Sequence, residues 1–384
     1  MSKVLRRLAL CAAMGALGSC ASMTPAEPVT FAGAPCVRPP PMHCPDKDCP
    51  GDMVTNQGAV IEPKTNRTYF LDYPCDLKPG EDVTVVLALH GGGSYGNWQR
   101  HYFPILDQVD KHRLVIATPN TRGWSAADDP YLQNIVTEVV DQLGRENVKS
   151  FWLVGHSMGG FNSRRIVCDS FFRDKVDGMI SLSGGRLGNP PDMPASAAGF
   201  SIPPTNGSNP AARAGGPPGA GGPPPGARPP GAGGPPGAGG PPGGGAGPFG
   251  AIAASSNAPS DCDFSYISTS GEHEPSSQAL VATSSWADKY GCRPRKLVEQ
   301  VADTKAGYVY DSSRQEFGTD AWGRLPRGGT ARVMEYAGCR DGRIVLDVRR
   351  MGKGHTEGFE PNITEEIVQL MQRAKGGKLR SSKS

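Results

Sequence analysis

The chain has 384 residues, a length that corresponds to one large domain or two small ones. Its formal net charge of +3 and the lack of a long Lys/Arg run argue against a nucleic-acid partner. Many of its 52 glycines and 37 prolines lie between Ile202 and Gly250, so a smaller part of the chain supplies the hydrophobic core. That remainder still suffices for one α/β domain. The short basic stretch from Arg373 to Lys383 is expected to be a solvated end.

The N-terminus has the pattern of an export signal. Three basic residues precede the apolar run Leu8–Leu17, which is too short to span a bilayer. The run ends in Leu17-Gly18-Ser19-Cys20, which resembles a bacterial lipobox, where the thiol of Cys20 would be lipidated. Ordinary signal cleavage near Ala21 is the alternative. The sequence therefore predicts a signal peptide over residues 1–19 and an exported protein, either anchored to the membrane of the cell envelope through Cys20 or released.

The cysteine content agrees with export. Removal of Cys11 with the signal and lipidation of Cys20 would leave an even number of cysteines, as expected for disulfides in an oxidising compartment. These eight are Cys36, Cys44, Cys49, Cys75, Cys168, Cys262, Cys292 and Cys339. The spacing of the first three does not match a standard zinc site.

Strand and helix patterns alternate after residue 57. Strands are predicted over Thr68–Tyr73, Val83–His90, Leu114–Pro119, Phe151–His156, Gly178–Ser183, Phe264–Thr269 and Arg343–Val348. Helices are predicted over Pro130–Leu143, Gly160–Cys168, Ser277–Tyr290 and Thr364–Arg373, the last with a start signal at Pro361-Asn362. The central strands are almost continuously apolar, which is typical of strands covered on both faces. The alternation predicts an α/β fold with a mostly parallel central sheet flanked by helices.

The segment 203–250 repeats Gly-Gly-Pro-Pro-Gly-Ala units with almost nothing apolar to bury. It lacks the strict period of collagen, so we expect a disordered, partly polyproline-II insertion that acts as a solvated spacer, with a lid as the alternative. The predicted organisation is thus a signal over 1–19, a Cys/Pro-rich tether and lead-in over 20–57, an α/β domain over 58–376 interrupted by 203–250, and a basic tail over 377–384.

The sequence Gly155-His156-Ser157-Met158-Gly159 lies between a predicted strand and a predicted helix. This context is typical of the nucleophile elbow of α/β-hydrolases, in which a serine sits on a strained turn. The residues two before and two after that serine must be small, and Gly155 and Gly159 meet the requirement. Ser157 is therefore the predicted nucleophile.

A second glycine-rich loop, His90-Gly91-Gly92-Gly93, follows the strand Val83–His90. Such a loop lets backbone N–H groups face the negative charge that develops on a carbonyl oxygen. We expect one oxyanion donor from Met158 and the other from Gly92, with Gly93 as the alternative. His90 is expected to hold this loop rather than to carry a proton.

The predicted base and acid follow from chain order, because in this elbow fold the serine precedes the acid and the acid precedes the histidine. His273 and His355 lie after Ser157, and His355 stands in a flexible loop between the last strand and the last helix. Glu272 and Glu274 both follow the strand Phe264–Thr269, where the acid is expected. Glu274 is preferred because it lies three residues beyond the loop glycine Gly271, and Glu272 is the alternative. No metal or other cofactor is expected, since a Glu-His-Glu turn rarely converges on one ion.

These segments resemble the polyhydroxybutyrate depolymerase-like esterases, which are similar to feruloyl and acetylxylan esterases. The resemblance runs from about Arg67 to Gln372 without the insertion. It is carried by Thr68–Tyr73, Val86–Gly93, Gly155–Gly159, Val176–Gly185, Tyr336–Gly342 and Gly352–Thr356. It implies an α/β-hydrolase fold, a Ser157/Glu274/His355 triad that hydrolyses carboxylic esters, and a Cys292–Cys339 disulfide.

Three positions depart from the family pattern. Gly92 stands where cysteine is common, Glu274 where aspartate is usual, and Glu357 where a tryptophan often follows the histidine. The resemblance implies soluble esters or hydroxyalkanoate oligomers as substrates. The alternatives are a feruloyl or acetylxylan esterase, a serine peptidase for short peptides, and a non-catalytic envelope binding protein.

Substrate contacts are expected just beyond the carboxyl ends of the strands, where open α/β sheets bind ligands. The candidates are Tyr95, Trp98, Asn120 and Trp124, and for each the alternative is packing at the rim of the site.

Overall fold

The computed structural model describes residues 31, 36, 56, 58–121, 123–187, 262–274, 282–309 and 319–381. The predicted signal peptide, the predicted lipidation site Cys20, most of the tether and the segment 203–250 lie outside the described residues.

One sheet contains all ten described strands. They are β1 (Val60–Glu62), β2 (Arg67–Asp72), β3 (Val83–Leu89), β4 (Leu114–Pro119), β5 (Val148–His156), β6 (Gly178–Leu182), β7 (Ser265–Gly271), β8 (Lys296–Asp303), β9 (Gly329–Glu335) and β10 (Val345–Met351). Their spatial order is β1-β2-β4-β3-β5-β6-β7-β10-β9-β8. The six strands from β4 to β10 in that order are parallel to one another, and β1, β2, β9 and β8 add antiparallel edges. The predicted mostly parallel sheet is confirmed.

The described helices lie in the connections between these strands or follow the last strand. They are α1 (Gly96–Tyr102), α2 (Val109–His112), α3 (Asp129–Leu143), α4 (Met158–Ile166), α5 (Ser285–Lys289), α6 (Thr319–Trp322), α7 (Pro361–Arg373) and α8 (Lys378–Ser381). None of the helices in the described ranges is long and apolar enough to cross a membrane.

The central strands are almost continuously apolar because alternate residues enter two separate cores. In β3, Val85 and Leu87 join the core that contains α3, whereas Val86 and Ala88 join the core that contains α1 and α7. A strand with helices on both faces needs apolar residues at most positions, which is why its sequence does not alternate between apolar and polar residues.

All seven predicted strands occur, with ends shifted by a few residues. The sequence analysis did not predict β1, β8 and β9, which lie toward the edges of the sheet. Strand β8 is mostly exposed and carries polar residues along its length, so its sequence lacks the continuous apolar run that predicts a buried strand. Helix α1 was also not predicted, because its polar sequence Gly-Asn-Trp-Gln-Arg-His-Tyr is nevertheless buried at every position.

Two other expectations need correction. The predicted helix Ser277–Tyr290 is short within the described residues: α5 begins at Ser285, where the Ser284 side chain caps the Ala287 N–H at 3.3 Å. The predicted solvated basic tail is wrong for residues 378–381, which form α8 and pack on β5. Leu379 is buried there in the hydrophobic core, because it is the apolar residue of an otherwise basic segment.

Three disulfides tie the described chain together: Cys36–Cys75, Cys168–Cys262 and Cys292–Cys339. The last is the pair that the family resemblance implies. Disulfides of this number indicate an oxidising compartment outside the cytosol.

Candidate functional site

Ser157 occupies a strained turn between β5 and α4. Its backbone has φ 49° and ψ −114°, a conformation with positive φ that residues other than glycine rarely adopt. A Cβ on Gly155 would overlap the main chain of Gly159, and a Cβ on Gly159 would lie 2.6 Å from the carbonyl oxygen of His90. Both glycines are therefore required by the close approach of neighbouring backbone, as the sequence pattern predicts for an elbow.

The glycine-rich loop after β3 packs directly against this turn. A Cβ on Gly91 would lie 2.6 Å from the Nδ1 atom of His156 and 3.5 Å from the Cβ of Ser157. Gly93 has φ 69°, a conformation suited to glycine. Met158 is the first residue of α4, so its N–H belongs to the first turn, whose donors have no partner within the helix. The two predicted sources of oxyanion donors thus flank Ser157, and Gly92 and Gly93 both remain candidates in the loop.

His90 is buried and supports the loop. Its Nδ1 lies 2.7 Å from the carbonyl oxygen of Gly91, and its Nε2 accepts the Thr121 N–H at 3.3 Å. Burial lowers the pKa of His90 to about 4, so the ring is neutral at neutral pH. The Nε1 of Trp124 donates to the His90 carbonyl oxygen at 2.7 Å. His90 therefore has the structural environment that the sequence analysis expected.

His355 contacts a fully buried carboxylate. Its Nδ1 lies 2.9 Å from Oε2 of Glu274, whose exposed fraction is 0%. The other carboxylate oxygen accepts the Ser183 hydroxyl at 2.7 Å and the Gly271 N–H. Glu272 is half-buried and faces elsewhere, since its Oε2 accepts the N–H of Gly352 at 2.8 Å. Of the two predicted acids, the structure brings Glu274 to the histidine.

The base loop also contacts the elbow. The carbonyl oxygen of His355 lies 3.1 Å from Nε2 of His156, the residue before Ser157, and the two imidazole rings are 4.9 Å apart. The structure therefore gathers Ser157, the glycine-rich loop, His355 and Glu274 at the carboxyl edge of the parallel strands.

A family model described as "alpha/beta hydrolase fold" matches residues 84–203, which include nearly all of β3, the glycine-rich loop and the elbow. Together with the sheet order and the strand-turn-helix at Ser157, this match decides the architecture. The chain has the α/β-hydrolase fold.

Comparison with solved structures finds enzymes that resemble the chain weakly. An acetyl xylan esterase from Aspergillus awamori is 12% identical, with 82% of this chain and 98% of that chain covered and a TM-score of 0.42. FphF, a fluorophosphonate-binding serine hydrolase from Staphylococcus aureus, is 18% identical over 32% of this chain and 55% of its own, with a TM-score of 0.24. The esterase Est2 from Thermogutta terrifontis is 15% identical over 34% of this chain and 56% of its own, with a TM-score of 0.26. The matched region thus spans about half the length of the last two enzymes. No curated protein sequence matches the chain significantly.

Within this α/β-hydrolase fold, two of the predicted pocket residues have their polar atoms engaged internally. The Asn120 side chain accepts the Gly96 N–H at 2.8 Å and donates to Asn56 and Thr68 at 3.0 and 3.1 Å. It joins the end of β4 to the start of α1. The Trp124 indole N–H is bonded to His90, as described above. These contacts favour packing over substrate binding for Asn120 and Trp124.

The other two predicted pocket residues lie on the α1 side of the site. Trp98 is almost fully buried, and its ring stacks on Tyr102 at 4.6 Å and lies 5.5 Å from the ring of His156. Tyr95 is half-buried at the start of α1, two residues beyond Gly93. Tyr95 is therefore the more accessible of the pair.

Sequence reasoning missed Tyr102, whose hydroxyl donates to the His355 carbonyl oxygen at 3.0 Å, and two further residues that contact the candidate triad. Ser183 follows β6, and its hydroxyl donates to the Glu274 carboxylate. Because β6 and β7 are neighbouring parallel strands, residues just beyond their carboxyl ends are expected to lie close together, and this could have predicted the contact. Trp322 comes from α6, and its ring meets that of His355 edge-on at 5.3 Å. The N–H of Thr356 also donates to the Trp322 carbonyl oxygen at 2.7 Å. An aromatic ring thus lies beside His355, although position 357 is a glutamate.

Glu357 is buried among charged side chains beneath the His355 loop, most of which are also buried. Its Oε2 accepts the Gly354 N–H at 2.7 Å, and its Oε1 lies 2.7 Å from an Arg327 nitrogen. Lys353 pairs with Glu360 at 2.5 Å, and Arg350 lies 3.3 Å from the same carboxylate. Burial raises the pKa of Glu357 and lowers that of Lys353, while their mutual attraction opposes both shifts. The departure from the family pattern at position 357 therefore has a structural explanation in this network.

Proposed function

We propose that the protein is a serine-dependent carboxylic ester hydrolase with Ser157 as nucleophile, His355 as general base and Glu274 as the acid that orients it. The observation that carries the proposal is the buried contact between His355 Nδ1 and Glu274 Oε2 at 2.9 Å, next to the strained turn at Ser157. A base oriented by a buried carboxylate beside a partly exposed serine is the arrangement that nucleophilic acyl transfer needs.

In the first step, Nε2 of His355 removes the proton from the Ser157 hydroxyl as its oxygen attacks the ester carbonyl carbon. The carbonyl oxygen becomes negatively charged and accepts hydrogen bonds from the N–H of Met158 and from Gly92 or Gly93. Each such donor contributes roughly 2.7–4 kcal/mol to the stabilisation of the transition state. Glu274 stabilises the imidazolium that forms and holds the ring in the tautomer with its proton on Nδ1.

In the second step, the carbon–oxygen bond to the alcohol breaks, and the alcohol leaves with the proton from His355. Water then attacks the acyl-enzyme, with His355 again as general base, and releases the carboxylic acid and free Ser157. The proton balance closes within each half-reaction, so the proposed chemistry requires no cofactor.

We propose soluble esters or hydroxyalkanoate oligomers as the substrate class, on the strength of the sequence resemblance. The protein would act outside the cytosol, in keeping with the three disulfides among its described residues, and Cys20 would attach it to a membrane of the cell envelope.

The proposal is tested by hydrolysis of p-nitrophenyl butyrate and by labelling with a fluorophosphonate probe. Ser157→Ala should lower kcat by about 10³-fold or more and abolish labelling. Ser170→Ala is the matched control, because Ser170 is an exposed serine shortly after α4 and should behave like the wild type. Full activity of Ser157→Ala would contradict the assignment of the nucleophile.

A further inference from the structure

His156 contacts three parts of the proposed machinery at once. It precedes Ser157 in the chain, it lies against Gly91 of the glycine-rich loop, and its Nε2 is 3.1 Å from the carbonyl oxygen of His355. The side chain has an exposed fraction of 3%, so it meets protein rather than solvent. A single buried ring therefore lies between the nucleophile turn, the oxyanion loop and the base loop.

The partner of Nε2 determines the protonation of this ring. A carbonyl oxygen accepts hydrogen bonds and cannot donate one, so the contact requires a proton on Nε2 of His156. The Tyr102 hydroxyl donates to the same carbonyl oxygen at 3.0 Å. Burial raises the pKa of Tyr102, so this hydroxyl remains protonated and able to donate.

The main chain of His355 is thus held from both sides. Its carbonyl oxygen accepts from His156 and Tyr102, and its N–H donates to the Ala321 carbonyl oxygen at 2.9 Å. Glu274 fixes the orientation of the imidazole but does not fix where the backbone of the loop lies relative to Ser157. The hydrogen bond from His156 fixes the position of the His355 backbone relative to Ser157, because His156 and Ser157 are adjacent in the chain.

We propose that His156 is a positioning residue, which through its Nε2–H···O=C bond holds the base His355 at its working distance from Ser157. The role rests on the proposed ester hydrolase function. It explains why a ring with a donor, rather than a purely apolar side chain, fills this buried position of the elbow. Displacement of a catalytic group by about 1 Å can lower the rate by roughly 10²-fold, so loss of this one hydrogen bond is expected to lower kcat.

The test compares two substitutions that separate packing from hydrogen bonding. His156→Phe keeps an aromatic ring against Tyr102, whose ring centroid lies 4.0 Å away, but removes the donor. His156→Gln loses the ring but places an amide donor near the position of Nε2. We expect His156→Phe to lower kcat for p-nitrophenyl butyrate by about tenfold with KM changed less than twofold. His156→Gln should recover most of that loss.

A ring that serves packing alone predicts the reverse order, with His156→Phe close to the wild type and His156→Gln impaired. That order of kcat values would overturn the positioning role. The melting temperature of each variant shows whether a loss of activity reflects a loss of stability. A wild type that neither hydrolyses esters nor reacts with the fluorophosphonate probe would overturn the proposed function together with this inference.

A second test uses the wild-type protein, so it does not require the variants to fold. Nitrogen-15 NMR of the histidine rings distinguishes a proton on Nε2 from one on Nδ1. The positioning role requires the Nε2–H tautomer of His156 at neutral pH, and the Nδ1–H tautomer would overturn it.

Discussion

Glu272 and Glu274 are two residues apart on one loop, yet their carboxylates have different environments. Glu274 is fully buried and bonded to His355, Ser183 and Gly271. Glu272 is half-buried and bonded to the N–H of Gly352, with an Arg349 nitrogen 3.9 Å away. The backbone explains the difference, because the N–H of Glu272 pairs with the end of β10, whereas the loop turns at Gly271 to bring Glu274 inward.

This pair provides a matched comparison. Glu274→Ala should lower kcat by about 10²- to 10⁴-fold, because the imidazole would lose both its orientation and the charge that stabilises its protonated form. Glu272→Ala should remain within about threefold of the wild type. Steady-state kinetics on p-nitrophenyl butyrate measures both. Equal activities of the two variants would remove Glu274 from its proposed role.

The site residues that could be predicted from the sequence are those marked by a short local pattern or by their order along the chain. Ser157 stands in a five-residue pattern, and His355 was selected by chain order and its loop. Tyr102 and Trp322 reach His355 from segments far away in the chain, and no spacing rule connects them to it. Asn120 was correctly placed at a strand end, but its side chain serves the backbone there. Sequence position indicates which edge a residue occupies, whereas its hydrogen-bond partners depend on the folded chain.

The loop from β10 to α7 illustrates how an element is held in place. Residues 352–357 contain two glycines and the base, so local propensity does not make the loop rigid. Glu357 stabilises it from inside by accepting the Gly354 N–H and by pairing with Arg327 and Lys353. Because Glu357 and Lys353 are buried and Arg327 is only partly exposed, removal of the Glu357 charge leaves its partners poorly compensated.

Glu357→Gln should therefore lower the free energy of unfolding by about 1–3 kcal/mol, because the carboxylate charge opposite Arg327 and Lys353 would be lost. We also expect kcat to fall, since His355 lies on the same loop. Chemical denaturation and steady-state kinetics measure the two effects. Glu299→Gln is the matched control, because this glutamate is exposed on β8 and should change neither quantity. Unchanged stability of Glu357→Gln would show that the network does not support the loop.

Among the elements, those predicted from the sequence share burial on both faces or a clear start signal. Strand β4 was predicted at its observed bounds, and α7 begins at Pro361, within the predicted start signal. The edge strand β8 and the polar helix α1 lack such a signal. In α1, the buried Arg100 is compensated by Asp72 at 2.8 Å, a partner on β2 that a local pattern does not reveal.

Across the whole molecule, the disulfides join elements that are distant in the chain. Cys168–Cys262 connects the region after α4 to the start of β7 and closes a loop of 94 residues. Cys292–Cys339 connects the region after α5 to the turn between β9 and β10. In the chain-entropy model, a disulfide that closes a loop of 94 residues, as Cys168–Cys262 does, stabilises the fold by about 4–5 kcal/mol. The first of these bridges spans the Pro/Gly-rich segment 203–250.

Excision of residues 203–250 should leave both the fold and the activity intact. On one side of the segment, the Leu187 N–H donates to the Tyr266 hydroxyl at 3.0 Å, and Arg186 pairs with the buried Asp347 at 2.9 Å. On the other side, Cys262 is bonded to Cys168. Residues 188–202 and 251–261 would still join these anchored ends, and a shorter loop costs less closure entropy.

We expect the excised protein to melt within about 3 °C of the wild type and to keep kcat/KM for p-nitrophenyl butyrate within about threefold. The matched control is Cys168→Ser with Cys262→Ser in the intact chain, which should lower the free energy of unfolding by several kcal/mol. Loss of hydrolysis at an unchanged melting temperature would mean that the segment shapes the substrate site. A large fall in melting temperature would instead mean that it belongs to the folded core, because removal of a solvated spacer takes no apolar area out of the interior.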